Sequence, residues 1–362
     1  MKISDTNETP FYKKLAFILF SLIATGYLAV LAKELLAPLL FSMLFSIVLL
    51  PVAKFFETRF RLPRSLSSLF SLVLFIVLLG SIFYLVGSQV TRLASDWPQF
   101  KLQLGHSIES LKEWIESKFQ INARSQVKYL HDASEAVLSS STLIVSTTFL
   151  SVSSVMLFLV FTMIDIFFLL LYRRLILRFL ISVFKKEDSH TVYAIVEQVQ
   201  FIIRKYIIGL LLEMGIVTTV VCTAFWIFEI KYAILLGLLT GMLNLIPYLG
   251  IFTALILSSL ITFATAAAAT KVLIVIMVLF ATHLLDSNIL LPLVVGSKVK
   301  INALITVLGV IIGEMMWGIS GMFLSIPVIA IVKIIFDRIE SLQPWGMLLG
   351  EESKENPLTV AK

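Results

Sequence analysis

The chain is 362 residues long, 59% hydrophobic and 14% charged, with a net charge of +6. Ordinary soluble domains carry about 25% charged residues, and repeated apolar runs of 18 or more residues read as membrane helices. The composition therefore excludes an ordinary soluble domain. Its positive charge sits in short loops beside apolar runs, the positive-inside pattern rather than a nucleic-acid surface, so no nucleic-acid partner is expected.

Cys222 stands alone and has no intrachain disulfide partner. His106, His131, His190 and His283 show no ligand spacing, so no metal site is expected. Residues 1–14 carry Lys2, Lys13 and Lys14 and are expected to be cytoplasmic. A first span follows over Leu15–Ala32, retained rather than cleaved as a signal peptide. The second covers Leu35–Ala53, with Pro38 in its first turn, where a missing N–H costs little. Lys54, Arg59, Arg61 and Arg64 mark a cytoplasmic loop, and a third span runs from Ser65 to Gly87.

Residues 88–145 differ in kind. Six basic and six acidic residues balance, and Trp97, Phe100, Leu104, Ile108, Leu111, Ile115 and Phe119 recur at helical spacing. This predicts an external amphipathic helical region, with a second helix through Val127, Leu130, Val137 and Leu138. It is either a solvated helical pair or a layer covering a pathway. A fourth span, Ser146–Tyr172, contains Asp165 and returns to Arg173, Arg174 and Arg178. Residues 173–205 form a basic cytoplasmic segment. Asp188-Ser189 offer an N-cap for a helix that leads into a fifth span, Tyr206–Phe228, containing Glu213.

Tyr232–Phe263 is apolar but interrupted by Asn244, Pro247, Tyr248 and Gly250. As one helix its 32 residues would extend about 48 Å, against about 30 Å of hydrocarbon. An apolar helix over Val272–Val295 follows, interrupted by Asp286 and Asn288 and kinked or ended by Pro292. The last apolar segment, Ile301–Phe336, is broken at Gly313-Glu314 and Trp317-Gly318-Ile-Ser-Gly321, and continues through Pro327. Paired broken segments point to a transporter binding site, because half-helix ends present unpaired backbone groups at membrane depth. Either both segments span, giving eight helices, or both re-enter as hairpins, giving six. Their lengths favour hairpins. The tail, 337–362, is polar and expected to be cytoplasmic.

Four acids lie inside apolar runs: Asp165, Glu213, Asp286 and Glu314. A charge there costs at least about 2.5–3.5 kcal/mol at a helix centre and usually faces a bundle interior or cavity. Each is either an interhelical hydrogen-bonding group or an ion-coupling group. Asp286 with Asn288, and Glu314 at a break, are the foremost candidates, followed by Glu213. No nucleotide-binding loop and no Ser-His-Asp or H-E-x-x-H arrangement is present, so an enzyme is not expected.

The expected fold is an all-α polytopic membrane protein with six to eight transmembrane helices. Its parts are N-terminal helices (1–87), the external region (88–145), the fourth span with the basic segment (146–205), a transport core (206–336) and the tail. The candidate pathway residues are Asn244, Pro247, Tyr248, Gly250, Glu213, Asp286, Asn288, Pro292, Glu314, Trp317, Gly318, Gly321 and Pro327. No cofactor is expected beyond coupling to protons or sodium.

Three stretches carry a family resemblance: LGLLTGMLNLIPYLG from Leu236, DSNILLPLVVGSKVKIN from Asp286 and WGISGMFLSIPVIAIVK from Trp317. As an ordered set they resemble the signature stretches of the bacterial autoinducer-2 exporter family, whose layout the whole chain follows. The resemblance implies a multi-pass permease of the bacterial inner membrane, exporting a small polar signal such as autoinducer-2 in quorum sensing, or exchanging monovalent cations for protons. It also implies a homo-oligomer. Many members place a Gly-Gln pair early in the fifth span, where this chain reads Tyr206-Ile-Ile-Gly-Leu-Leu-Leu-Glu213. Glu213 either replaces that glutamine or marks a different substrate. A membrane scaffold without transport is the reading from another functional class.

Overall fold

A chain crossing lipid must satisfy its backbone groups internally, and a helix does so within one segment. Every regular element among the described residues is helical. The computed structural model describes residues 10–96, 98, 102, 105, 109, 141–246, 249–266, 269–295 and 301–351. The helices are α1 (Phe11–Leu31), α2 (Lys33–Arg59), α3 (Arg64–Ser95), α4 (Ser141–Val183), α5 (Ser189–Ile227) and α6 (Ala233–Leu243). They continue as α7 (Leu249–Ala266), α8 (Ala269–Leu285), a π-helical run (Asp286–Val295), α9 (Ala303–Trp317), α10 (Ile319–Arg338) and α11 (Gln343–Leu349).

Among the described residues, six stretches are long and apolar enough to cross a membrane: Lys33–Arg59, Arg64–Ser95, Ser153–Val183, Lys186–Ile227, Thr270–Leu290 and Ile319–Arg338. The chain is an all-α polytopic membrane protein. The expected first span survives as Leu15–Leu31 within α1 and falls short of that length. The amphipathic helices expected between Trp97 and Leu138 lie outside the described residues, apart from four isolated positions.

Three sequence expectations shift. Pro38 lies in the second turn of α2, not the first, because the helix already begins at Lys33; Pro51 is inside it as well. The fourth helix runs well past Tyr172, so Arg173, Arg174 and Arg178 are helical. Arg173 is fixed there by a two-pronged ion pair, its Nη2 lying 2.5 and 2.6 Å from the Glu57 oxygens. Asp188 precedes α5 but makes no capping bond. Its backbone already lies in the helical region as the end of a short 3₁₀ turn, whereas a capping residue needs a non-helical conformation.

The fold is organised around α5, which packs against α2, α4, α6, α8, α10 and the π-helical run. One buried cluster joins Leu44 and Ile47 of α2, Ile203, Ile207 and Leu210 of α5, and Leu324 and Ile334 of α10. A second joins Val217, Val221 and Phe225 of α5 to Leu236 of α6 and to Val275 and Leu279 of α8. A third holds α2, α3 and α4 together around Ala53, Ile166 and Leu170. Along α5, then, apolar side chains are buried at both ends, and Glu213 falls in the gap between Leu210 and Val217.

Both broken segments form pairs of packed helices joined by a turn. The short arms, α6 with 11 residues and α9 with 15, would be about 16 and 22 Å long at helical rise. Both are shorter than the roughly 30 Å hydrocarbon core. The α9–α10 turn is made at Gly318, with φ 65° and ψ −140°, a region essentially confined to glycine. Beyond the turn Gly313 and Gly321 face one another, backbone against backbone. Trp317 Nε1 donates to the Ala29 carbonyl at 2.9 Å and ties the hairpin tip to α1.

At the opposite end of the bundle from Arg64 and Arg173, the chain closes with a polar latch. Asp96 accepts a hydrogen bond from Tyr232 Oη at 2.5 Å and lies 3.1 Å from Lys231 Nζ. Those bonds, from Tyr232 first and Lys231 second, hold its carboxyl below the ordinary value of 3.8. Lys271 Nζ donates to the Phe228 and Glu229 carbonyls at 2.6 and 3.3 Å, covering the end of α5.

Candidate membrane-embedded polar site

A buried charge needs partners, and side-chain donors reach it only where helices pack closely. Glu213 is 3% exposed and Asp286 7% exposed. Close packing is supplied by α6. Gly237 and Gly241 form a G-x-x-x-G pair on the face that meets α5. A Cβ on Gly241 would collide with Thr218, and would come 2.8 Å from the Met214 carbonyl, next to Glu213. This four-residue glycine spacing is the clue in the sequence to the face of α6 that meets α5.

The break after Leu243 then places Asn244 against both acids. Its Nδ2 donates to Glu213 Oε1 at 2.9 Å and to Asp286 Oδ2 at 3.2 Å. Three elements thus meet on one amide: the middle of α5, the tip of the α6–α7 hairpin and the first residue of the π-helical run. Wider π turns inside helices occur frequently at functional sites. Here the transition from α8 begins at Asp286 itself.

The arrangement leaves two buried oxygens, Glu213 Oε2 and Asp286 Oδ1, without a hydrogen-bond partner. An acceptor buried without a donor costs about 1–3 kcal/mol, more if charged. Two carboxyl groups with one shared donor and two open oxygens present acceptors of the chemistry that a proton, a monovalent cation or a hydroxyl donor requires. Asn244 itself is only partly buried.

The other expected site residues are spread more widely. Gly250 is buried at the turn, where a Cβ would strike the Leu243 carbonyl, so the hairpin tip needs glycine to close. Pro247 and Tyr248 lie outside the described residues. Asn288 points away from the acids: it is exposed, and its Nδ2 donates to the Leu284 carbonyl at 2.8 Å. Pro292 falls within the π-helical run. Glu314 is exposed near the tip of the other hairpin and makes no ion pair among the described residues. Trp317, Gly318 and Gly321 build that tip, and Pro327 is buried inside α10. Asp165 is half-buried on α4.

The two hairpins still meet. Leu245 at the first break and Trp317 at the second both pack on the cluster that holds Tyr206 and Leu210, immediately before Glu213. Both tips therefore border the same buried cluster on α5.

The model of the AI-2E family transporters matches residues 17–341. The chain belongs to the AI-2E transporter family. It is similar to "Putative transport protein YrrI" of Bacillus subtilis, 26% identical over 314 residues that cover 84% of this chain and 86% of the relative. "Putative transport protein YueF" of the same organism is 27% identical and covers 86% of both chains. "AI-2 transport protein TqsA" of Escherichia coli is 23% identical, covering 90% of this chain and 92% of the relative. The AI-2E membership makes this a membrane transporter, and the expected family resemblance holds along nearly the whole chain.

Proposed function

We propose that this AI-2E family member is a secondary exporter of a small polar metabolite, autoinducer-2-like in chemistry. The solute passes the Glu213–Asn244–Asp286 site as the α6–α7 hairpin moves against α5. The observation that carries this reading is the single amide of Asn244 shared by two buried acids at the tip of a broken segment. A hydroxyl-rich solute satisfies the two open oxygens better than lipid or packed side chains can. Protons or sodium, held by the same acids, supply the coupling. Glu314, exposed on the other hairpin, has no part in that coupling. The protein sits in the bacterial inner membrane as a homo-oligomer, with both termini and the basic end of the bundle in the cytoplasm.

The second reading is a monovalent cation/proton antiporter. It is favoured by the same pair of carboxylates, since two acids around one donor suit a cation as well as a hydroxyl.

Proteoliposomes separate these readings. Efflux of autoinducer-2 that persists without a sodium gradient supports the exporter. Sodium-dependent proton flux without organic solute, lost in Asp286→Asn, supports the antiporter. Absence of both fluxes leaves a membrane scaffold and refutes transport through this site.

A further inference from the structure

At the basic end of the bundle the ends of α2 and α4 and the amphipathic first half of α5 enclose a cavity of about 620 Å³. That is within the range of small-molecule sites, roughly 300–1,000 Å³, and far more than one bare ion requires. It lies on the other side of the Leu44–Ile203 cluster from the shared acids, so it is a separate site.

Its lining carries four cations, Lys54, Arg173, Arg174 and Arg204, against two carboxylates, Glu57 and Glu197. Glu57 is engaged by Arg173 in the two-pronged pair already described, with both side chains 17% exposed. Lys54, Arg174 and Arg204 make no ion pair among the described residues. The Nε of Arg204 is buried without an acceptor. Lys54 and Arg174 are exposed at the cavity mouth, and the buried guanidinium donor of Arg204 with no acceptor calls for one from outside the chain. Guanidinium forks match phosphate oxygens in shape, and Lys adds a point charge. Leu50, Leu177 and Phe201 give the same cavity an apolar wall.

We propose that this cavity binds the phosphate of an amphiphilic or organic phosphomonoester or diester, with Arg204 and Arg174 clasping the phosphate and Lys54 completing the charge. The two sources of that chemistry are an anionic phospholipid of the adjoining leaflet and a soluble phosphorylated solute. Basic pockets between membrane helices at the cytoplasmic side hold anionic headgroups by the same physics.

The test uses the full-length protein purified in detergent. Phosphatidylglycerol and phosphatidylethanolamine are titrated separately and retention is read by native mass spectrometry. Glycerol 3-phosphate is added in parallel and read as a shift in melting temperature. The variants are Lys54→Gln, Arg174→Gln, Arg204→Gln, the charge-keeping Arg204→Lys and the exposed neighbour Arg178→Gln, each checked for monodispersity. Removing one cation should weaken binding about fivefold, corresponding to about 1 kcal/mol per charge, and removing all three about a hundredfold. Arg178→Gln should bind as the wild type does, and Arg204→Lys should recover part of the loss of Arg204→Gln. Preference for phosphatidylglycerol with no response to glycerol 3-phosphate identifies the lipid as the source. A melting shift with glycerol 3-phosphate, and no preference between the lipids, identifies the soluble solute. Indifference to both, or equal loss in Arg178→Gln and Arg204→Gln, overturns the proposal.

Discussion

Asn244 Nδ2 stands 2.9 Å from Glu213 Oε1, and this bond joins the tip of a broken hairpin to the centre of the helix around which the protein is built. The same nitrogen reaches Asp286 at 3.2 Å. Displacing the hairpin therefore removes a side-chain donor shared by two buried acids. In the proposed cycle that exposes them for loading and unloading.

Asn244→Ala leaves both carboxyls without this donor while preserving the helical framework. It should lower thermal stability by about 1–3 kcal/mol, the cost of stranding a buried polar group. Transport should fall by about tenfold or more, equivalent to at least about 1.4 kcal/mol of lost differential binding. Thermal unfolding in detergent and flux in vesicles measure the two effects separately. Retention of full flux in a destabilised variant would show that Asn244 is structural only.

Glu213→Gln and Asp286→Asn act on one network and should not add. In a double-mutant cycle scored by unfolding, the interaction energy between them should fall within about 0.5–3 kcal/mol. Additivity within experimental error would mean that the two acids do not share Asn244 in the membrane.

The candidate site was partly legible in the sequence. Acids inside apolar runs are conspicuous because burying a charge is expensive, and Asn244 stood out at a break in a run too long for one span. Neither hydropathy nor position at a break reports direction around a helix, so both put exposed Glu314 and Asn288 beside buried Asp286. They also put Glu213 behind Asp286, although Glu213 is the more buried of the two acids. The shared amide joins residues 31 and 42 positions apart, and no local pattern encodes such a meeting. The G-x-x-x-G spacing at Gly237 and Gly241 was the available clue to which face of α6 meets α5. The places of the spans followed from composition more readily than helix lengths did, since α4 and α5 run well past the apolar stretches that mark them. The charged turns after Tyr172 stay helical because tertiary partners such as Glu57 hold them.

Gly318→Ala tests the second hairpin. A side chain at φ 65° and ψ −140° is strained, at about 1–3 kcal/mol for such a conformation. The loss should appear in thermal unfolding, whereas Ala at Gly80, where a Cβ meets no neighbour within 4 Å, should be neutral or mildly stabilising. Equal behaviour of the two variants would rule out the sharp turn.

The Asp96 latch has a pH signature of fixed sign. Its carboxyl is held low by Tyr232 and then Lys231, so the folded state binds fewer protons there than the unfolded state. Its contribution is complete above the ordinary value of 3.8 and is lost as the pH falls through the depressed folded value. The melting-temperature gap between wild type and Asp96→Asn should be constant at neutral pH and close in acid below that value. A gap that opens in acid would carry the wrong sign for this latch.

The most direct measurement compares Asp286→Asn with Glu314→Gln in the same vesicle assay, following autoinducer-2 efflux and the accompanying proton movement together. Asp286→Asn should lower flux about tenfold or more, while Glu314→Gln should stay within about twofold of the wild type. Wild-type flux in Asp286→Asn, or its loss in Glu314→Gln alone, would contradict transport through the site shared by Glu213, Asn244 and Asp286.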